Sequence, residues 1–283
     1  MRVTLHGGAG PFLAKAEGLL ASDPFSTNVM AVVAGRVVAG DQADSRDYLW
    51  VTIEDEEAEG RVVGMAMHTP PHNLFLSVMP AEAAAALAGA LFDGGRELGG
   101  VNGAVGSTGA FAQVWEARAG RPSRVVTAMR MYRLVELVCP EGVPGQAALA
   151  RAPADLDRVA GWFAAFHDEA QPHAPSADWR AFAEGRVAAG QVHFWVAGAA
   201  PVAMAALSAP AAGVARVGPV YTPPPSRRQG YGAAVTAAAT AAALDAGAAH
   251  VVLYTDLANA TSNAIYQAIG FRAHHDAEER SLG

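Results

Sequence analysis

Apolar residues fall along this chain in short blocks, some alternating with polar positions and some recurring at helical spacing, with glycine, proline and acidic clusters between them. The spacing predicts helices from Pro11 to about Leu20, with proline at a tolerated first-turn position, and from Pro24 to Ala34. Gly7 to Gly10 reads as a loop with no clean strand before it. Asp47 to Ile53 and Arg61 to Met67 alternate as strands joined by the acidic turn Asp55-Glu-Glu-Ala-Glu-Gly60, and Leu74 to Val78 is a third strand. The alanine-rich run Pro80 to Phe92 is a helix. Gly100 to Val105 reads as a strand, Gly109 to Ala117 as a helix and Val125 to Val138 as a long β-prone segment.

Glu141-Gly-Val-Pro-Gly145 is a turn cluster and marks the expected boundary between domains at 1–140 and 141–283. Beyond it the pattern predicts a short strand at Ala147 to Ala150, a helix from Asp155 to Glu169, a loop at Gln171 to Ser176 and a helix from Ala177 to Ala188. Strands follow at Val192 to Ala197, Pro201 to Leu207 and Val214 to Tyr221. Pro219 signals a bulge or an edge in the last of these. An alanine-rich helix to Ala246, a strand at His250 to Thr255, a helix around Tyr266 and a strand from Phe271 complete the chain. The two halves thus show one order: two helices, three strands, helix, strand, helix, strand. Val62-Val-Gly-Met-Ala-Met67 echoes Pro201-Val-Ala-Met-Ala-Ala206, as a duplication would.

Chemistry concentrates where the strand ending at Tyr221 runs through Thr222-Pro-Pro-Pro-Ser into Arg227-Arg-Gln-Gly-Tyr-Gly232 and a helix. The first N–H groups of a helix lack internal acceptors and carry partial positive charge. Gly230 and Gly232 let a ligand approach the backbone, and Arg227 and Arg228 add charge, so the junction suits a pyrophosphate. No Gly-Lys-Ser/Thr follows, which excludes a P-loop, and the glycine spacing excludes a dinucleotide-binding turn.

Arg227-x-x-Gly230-x-Gly232 resembles the Q/R-x-x-G-x-G/A signature of the GNAT superfamily of N-acetyltransferases. Asn259-Ala-Thr-Ser-Asn263-Ala-Ile-Tyr266 is similar to that family's later segment, with Asn259, Asn263 and Tyr266 on one helical face. The resemblance implies two tandem domains of α+β (α/β) class, each a mixed, mostly antiparallel sheet flanked by helices. It implies acetyl-coenzyme A as co-substrate, with no metal. The pyrophosphate would lie on Arg227, Arg228, Gln229, Gly230, Tyr231, Gly232 and Ala233, the pantetheine arm along Val220, Tyr221 and Thr222, and Asn259 and Asn263 would line the site. Tyr266 would act as general acid; Asp256 is the candidate base or amine ligand, beside a capping or loop role. The acceptor implied is a primary amine of a small molecule.

The first half departs from the signature. Ser77-Val-Met-Pro-Ala-Glu-Ala-Ala stands at the loop position, and Phe111 and Trp115 lie on the helix matching that of Tyr266. Pro80 lacks an N–H and Glu82 repels phosphate, so this half is expected to be a degenerate copy that binds no coenzyme. Only twelve residues follow Phe271, too few for the family's closing hairpin, so a strand from elsewhere, with the Val125 to Val138 segment as the candidate, is expected to complete or border that sheet.

Composition narrows the alternatives. Hydrophobic residues make up 52% and charged residues 17%, enough for sizeable cores and too little charge for disorder. Net charge is −7 without a Lys/Arg run, which argues against nucleic acid and anionic membrane as partners. The sequence shows no signal-type apolar segment and no run of membrane-spanning length, so a cytoplasmic protein is expected, as a monomer with an internal pseudo-dimer or as a homodimer. Cys139, the single cysteine, excludes a disulfide framework and is expected to be a small buried hydrophobe. His274 and His275 lack metal-ligand spacing, His68 and His72 flank Thr69-Pro-Pro71 as loop residues, and no Gly-x-Ser-x-Gly elbow occurs. Two further readings share the layout: a sensor that binds acyl-coenzyme A without turnover, and acyl transfer in a thiol-cofactor pathway of the mycothiol-synthase type.

Overall fold

The computed structural model describes residues 1–173 and 175–283; Ala174, in the expected Gln171 to Ser176 loop, lies outside the described residues. Contacts divide the chain into two compact units. The first comprises Met1–Met131, Asp256–Ala258 and His275–Gly283, and the second Tyr132–Thr255 and Asn259–His274. The division falls at Met131/Tyr132 and not at the expected 140/141, because the chain beyond β6 (Arg124–Leu134) is tied into the second unit. There the N–H groups of Val135 and Val138 donate to the carbonyls of Gly270 and Ile269. Gly270 has φ +99°, and a Cβ on it would lie 1.7 Å from the Glu136 carbonyl oxygen, so this crossing requires glycine. The same crossing turns the side chains of Val135, Val138 and Cys139 outward. Cys139 is exposed, contrary to its expected burial.

The first unit runs β1 (Arg2–His6), α1 (Ala9–Lys15), α2 (Glu17–Ser22), α3 (Asn28–Ala39), β2 (Leu49–Asp55), β3 (Arg61–His68), β4 (Leu74–Leu76), α4 (Ala81–Asp93), β5 (Gly100–Ala104) and α5 (Val105–Ala119). β1 was not legible in the sequence: it is an edge strand with only partial burial, paired antiparallel to β2 from Arg2↔Glu54 to His6↔Trp50. Strand order is β1-β2-β3-β4-β5-β12, where β12 (Phe271–Ser281) pairs antiparallel with β5 from Ala277↔Ala104 to Ser281↔Gly100. β12 is one continuous strand, so no closing hairpin follows Phe271. One face of this sheet packs Ile53, Leu76 and Val101 against α4 and α5 through Leu87 and Phe111. The other packs Trp50, Met65 and Met67 against α1 and α3 through Phe12 and Met30.

The second unit repeats the order with two helices in place of three after its first strand: β7 (Gln146–Leu149), α6 (Leu156–Ala170), α7 (Trp179–Ala188), β8 (Val192–Ala197), β9 (Ala200–Leu207), β10 (Val214–Tyr221), α8 (Tyr231–Asp245), β11 (His250–Asp256) and α9 (Ala260–Ala268). Its strands lie in the order β11-β10-β9-β8-β7, antiparallel except β10 with β11. The echoing segments Val62 to Met67 and Pro201 to Ala206 fall on the equivalent strands β3 and β9. α8 and α9 cover Ala205, Val217 and Leu253 on one face, and α6 and α7 cover Phe194 and Met204 on the other. The fully buried Phe163 and Phe194 of the latter layer each contribute about 2–3 kcal/mol of burial. In α8, Thr236 and Thr240 are buried because their hydroxyls donate to the Gly232 and Thr236 carbonyls, four residues back. Gly247, at φ +89°, ends that helix as expected, with the Ala248 N–H donating to the Ala243 carbonyl.

Candidate active site

β10 and β11 pair in parallel only from Val214↔His250 to Arg216↔Val252. Beyond that the ladder stops, and β10 bulges between Val217 and Val220, where the sequence places Gly218 and Pro219. Val220↔Ala205 and Tyr221↔Met204 keep β10 in register with β9. Successive residues of a strand direct their N–H and C=O to opposite edges, so within Val220 to Thr222 backbone groups also face the unpaired edge.

The chain then turns through Pro224–Ser226 in a 3-10 turn and enters α8. Arg228 (φ +62°) and Gly230 (φ +81°) are both left-handed, and the residues around them stay outside any ladder. The N–H groups of Arg228, Gln229, Gly230, Tyr231, Gly232 and Ala233 have no acceptor among the described residues; the first helical bond of α8 is Ala234 N–H to the Gly230 carbonyl. Consecutive free amides at the start of a 15-residue helix form an anion-binding concavity. Gly232 leaves room beside Thr222, whose Oγ1 would sit 3.4 Å from an added Cβ, and beside Ile265 of α9 at 4.0 Å. Gly230 packs against Val143, 3.0 Å from where a Cβ would stand. These residues fit the diphosphate of acetyl-coenzyme A.

The side chains of the loop divide the work. Arg227 is turned back: its Nε donates to the Thr222 carbonyl (2.9 Å), a terminal N–H donates to Glu169 Oε2 (2.6 Å), and the guanidinium lies over the Tyr221 ring (5.9 Å). The Tyr221 hydroxyl donates to the other oxygen of Glu169 (3.1 Å), and burial, with Glu169 beside it, pushes the phenol above its ordinary pKa. Arg227 therefore fixes the loop. Arg228 is exposed and has no ion-pair partner among the described residues, so its charge is open to a ligand. The Tyr231 hydroxyl donates to Gln229 Oε1 (3.1 Å). Glu169 and Val143 carried no signal in the sequence, because an acid at the end of a helix and a valine in a turn are ordinary residues there.

On α9 the expected polar face is rearranged. Asn259 is the N-cap, its Oδ1 accepting the Ser262 N–H at 3.0 Å. The Asn263 Oδ1 accepts from the Tyr132 hydroxyl (2.8 Å), and its Nδ2 donates to the Asn259 carbonyl (2.8 Å). Tyr132, delivered by the end of β6, is the missed residue here; the long Val125 to Val138 segment was its only trace. Tyr266 is 8% exposed, packed in the cluster of Val217, Leu253 and Phe271. Burial raises its phenol pKa to about 12, against a hydrogen bond with Ser262 that works the other way. Asp256 accepts the Ala258 N–H (2.7 Å) and groups with the first unit.

In the first unit the equivalent corner is closed. Pro80 stands at the N-cap of α4, where Gly230 stands for α8, and Glu82 occupies the first turn. The Met79 N–H donates to Ser107 Oγ of α5 (3.1 Å), and the Met79 side chain fills the space over Gly64 of β3, where a Cβ would meet its sulfur at 3.0 Å. Phe111 and Trp115 stack at 5.7 Å in the core and present no hydroxyl. Among the described residues no group of three His, Cys, Asp or Glu is placed to hold a metal ion, and no helix is long and apolar enough to cross a membrane.

Comparison with known proteins agrees with this geometry. Residues 156–271 match the model of the acetyltransferase (GNAT) family. No curated protein sequence matches the chain significantly. Among solved structures, a GCN5-related N-acetyltransferase from Sphaerobacter thermophilus aligns with TM-score 0.65 and 15% identity, over 99% of this chain and 96% of the other. A GNAT-family acetyltransferase from Colwellia psychrerythraea aligns with TM-score 0.59 and 12% identity over the whole of both chains. A tandem GNAT protein from the clavulanic acid biosynthesis pathway aligns with TM-score 0.59 and 12% identity, over 100% of this chain and 98% of the other. At such identities these structures speak for the fold alone, and that fold is the GNAT unit twice over. Residues 156–271 are accordingly a domain of the GNAT acetyltransferase family, whose members take acetyl from acetyl-coenzyme A, and the chain that carries it has the fold of tandem GNAT proteins.

Proposed function

We propose that the chain transfers acetyl from acetyl-coenzyme A to a primary amine of a small molecule, at a single site in the second unit. The observation that carries this reading is the run of acceptor-free amides from Arg228 to Ala233, set where β10 and β11 part. The amides and Arg228 hold the diphosphate. The free edge of Val220 to Thr222 pairs with the pantetheine amides, which lays the thioester between the separated strands. The acceptor enters as its neutral amine and attacks the thioester carbonyl, and the sulfur leaves as a thiolate that needs a proton. Tyr266 supplies it, since a phenol with a pKa near 12 is still protonated at neutral pH, and the proton shed by the nitrogen of the tetrahedral intermediate passes to solvent, which restores the phenol. Asn259 and Asn263 support this acid by fixing the first turn of α9. Asp256 is engaged with its own loop, so the reading assigns it no proton transfer.

The test is an acetylation screen over a panel of primary amines with mass detection, run beside thiol release. Acetylated product with stoichiometric thiol supports the proposal. Tight coenzyme binding with no product from any amine, and thiol no faster than hydrolysis, would replace it with the sensor reading.

A further inference from the structure

The first unit carries a cavity of about 550 Å³ that plays no part in the reading above. It lies between the end of β1, the start of β2, the loop before β2 and the turn before β5. The antiparallel register places it at the far end of the sheet from α4. His6 pairs with Trp50 at the start of β2, whereas Asp55 at its end pairs with Arg61, near where β4 exits towards α4. The cavity is therefore no remnant of a coenzyme corner.

Its walls hold Arg46 and Arg96, both exposed and neither ion-paired among the described residues. One carboxylate, Asp44, opposes them, its Oδ2 3.3 Å from where a Cβ on Gly8 would stand. His6 bonds to Thr52 Oγ1 (2.9 Å), and burial lowers its pKa, so it adds a neutral imidazole. Trp50, 1% exposed, lines the inner wall, and its buried Nε1 has no acceptor among the described residues. Two guanidiniums with free forks and a neutral imidazole make a donor-rich cavity.

We propose that this cavity binds a small molecule through a phosphate or carboxylate group, clasped by Arg46 and Arg96, with Trp50 in the wall as its reporter. The two arginines are exposed and lie on loops, so replacing them should leave the fold intact.

The test titrates the full-length chain at constant ionic strength with inorganic phosphate and, separately, with succinate. The readouts are calorimetry and the indole N–H signals of a ¹⁵N-labelled sample, with Trp50→Phe assigning the Trp50 signal. The expected result is a saturable shift of that signal by at least one of the two anions, with affinity falling about tenfold or more in Arg46→Ala and in Arg96→Ala. A response to phosphate alone identifies a phosphate ester as the ligand class, and one to succinate alone a carboxylate. No saturable binding of either anion, or unchanged calorimetric affinity in the Arg46→Ala, Arg96→Ala double variant, overturns the proposal. The calorimetric arm needs no substitution at Trp50 and so stands even if that variant misfolds.

Discussion

Replacing Tyr266 by phenylalanine separates chemistry from folding, because the two costs differ in size. The hydroxyl makes one hydrogen bond, to Ser262, and the ring keeps its packing against Val217, Leu253 and Phe271. Losing a single hydrogen bond costs about 1 kcal/mol, a small part of the roughly 5–15 kcal/mol that holds a domain folded. Losing a general acid costs roughly 10²–10⁴ in rate, or about 2.7–5.5 kcal/mol of barrier. Tyr266→Phe should therefore melt cooperatively near the wild-type temperature and bind acetyl-coenzyme A normally, while single-turnover thiol release slows at least a hundredfold. The raised pKa also fixes the pH profile. On the proposed mechanism the protonated phenol is the active form, and burial keeps it so up to about pH 12, so wild-type turnover should rise as the amine deprotonates and show no falling limb near pH 10. A variant with near-wild-type single-turnover rates would remove Tyr266 from the mechanism. A wild-type falling limb centred near pH 10 and absent from the variant would keep the acid but refute the burial argument.

Further expectations concern the loop, the coenzyme count and the first unit's ion cluster. Gly232→Glu puts bulk and charge among the free amides in the first turn of α8, where a carboxylate suits the helix and the backbone is not left-handed. Calorimetry should find one acetyl-coenzyme A per chain in the wild type and none in this variant; a surviving tight site would place coenzyme in the first unit. Arg228→Ala should weaken coenzyme binding by about tenfold, and more than Arg227→Ala does, because Arg227 is already committed to Glu169 and Thr222; the opposite order in titrations would reverse their roles. Glu54 is 1% exposed and held at a pKa of about 2, first by Lys15 (2.8 Å) and then by Arg2 (2.5 Å) and Thr4 (3.1 Å), against the cost of burial. A lowered folded pKa gives stability that is present above the ordinary value of 4.5 and lost as pH falls towards 2. Glu54→Gln should therefore cost about 1–3 kcal/mol at pH 7 in urea unfolding and little at pH 2; a deficit independent of pH would contradict the assignment.

The fold was largely legible because each half repeats an order of strongly patterned elements, and the punctuation held. Pro219 marked the β10 bulge, Gly247 the end of α8 and Gly270 the end of α9. The elements that escaped are those whose stability comes from a distant partner. β1 exposes much of both faces and exists through its ladder with β2. Cys139 sits in an apolar run that reads as buried, yet the run is spent on backbone contacts to Ile269 and Gly270, which leave its side chains outside. The site shows the same limit. Backbone features were visible, since glycine and proline state what the chain must do locally. The partners of Arg227, Asn259 and Asn263 were not, and two of these three turn out to be tied up by residues remote in sequence, Glu169 and Tyr132.

The first unit closes the corner that the second leaves open at Gly230. Pro80 and Glu82 mark the difference in the sequence, since one removes a donor and the other adds a charge that phosphate must oppose. Neither explains how the closed corner is packed. Free amides and separated strands suit a ligand and cost stability without one, so a unit that abandons binding gains by filling the gap. Met79 does this twice. Its side chain occupies the space that Gly64 leaves open on β3, and its N–H, an orphan in a binding loop, is answered by Ser107 of α5. Ser77 completes the seal, its Oγ accepting the Met65 N–H at 3.0 Å. Glycine at position 64 thus has meaning only beside methionine at 79, and serine at 107 only beside the backbone of 79. A single sequence displays each of these as an unremarkable residue, and only the fold shows that together they fill one corner.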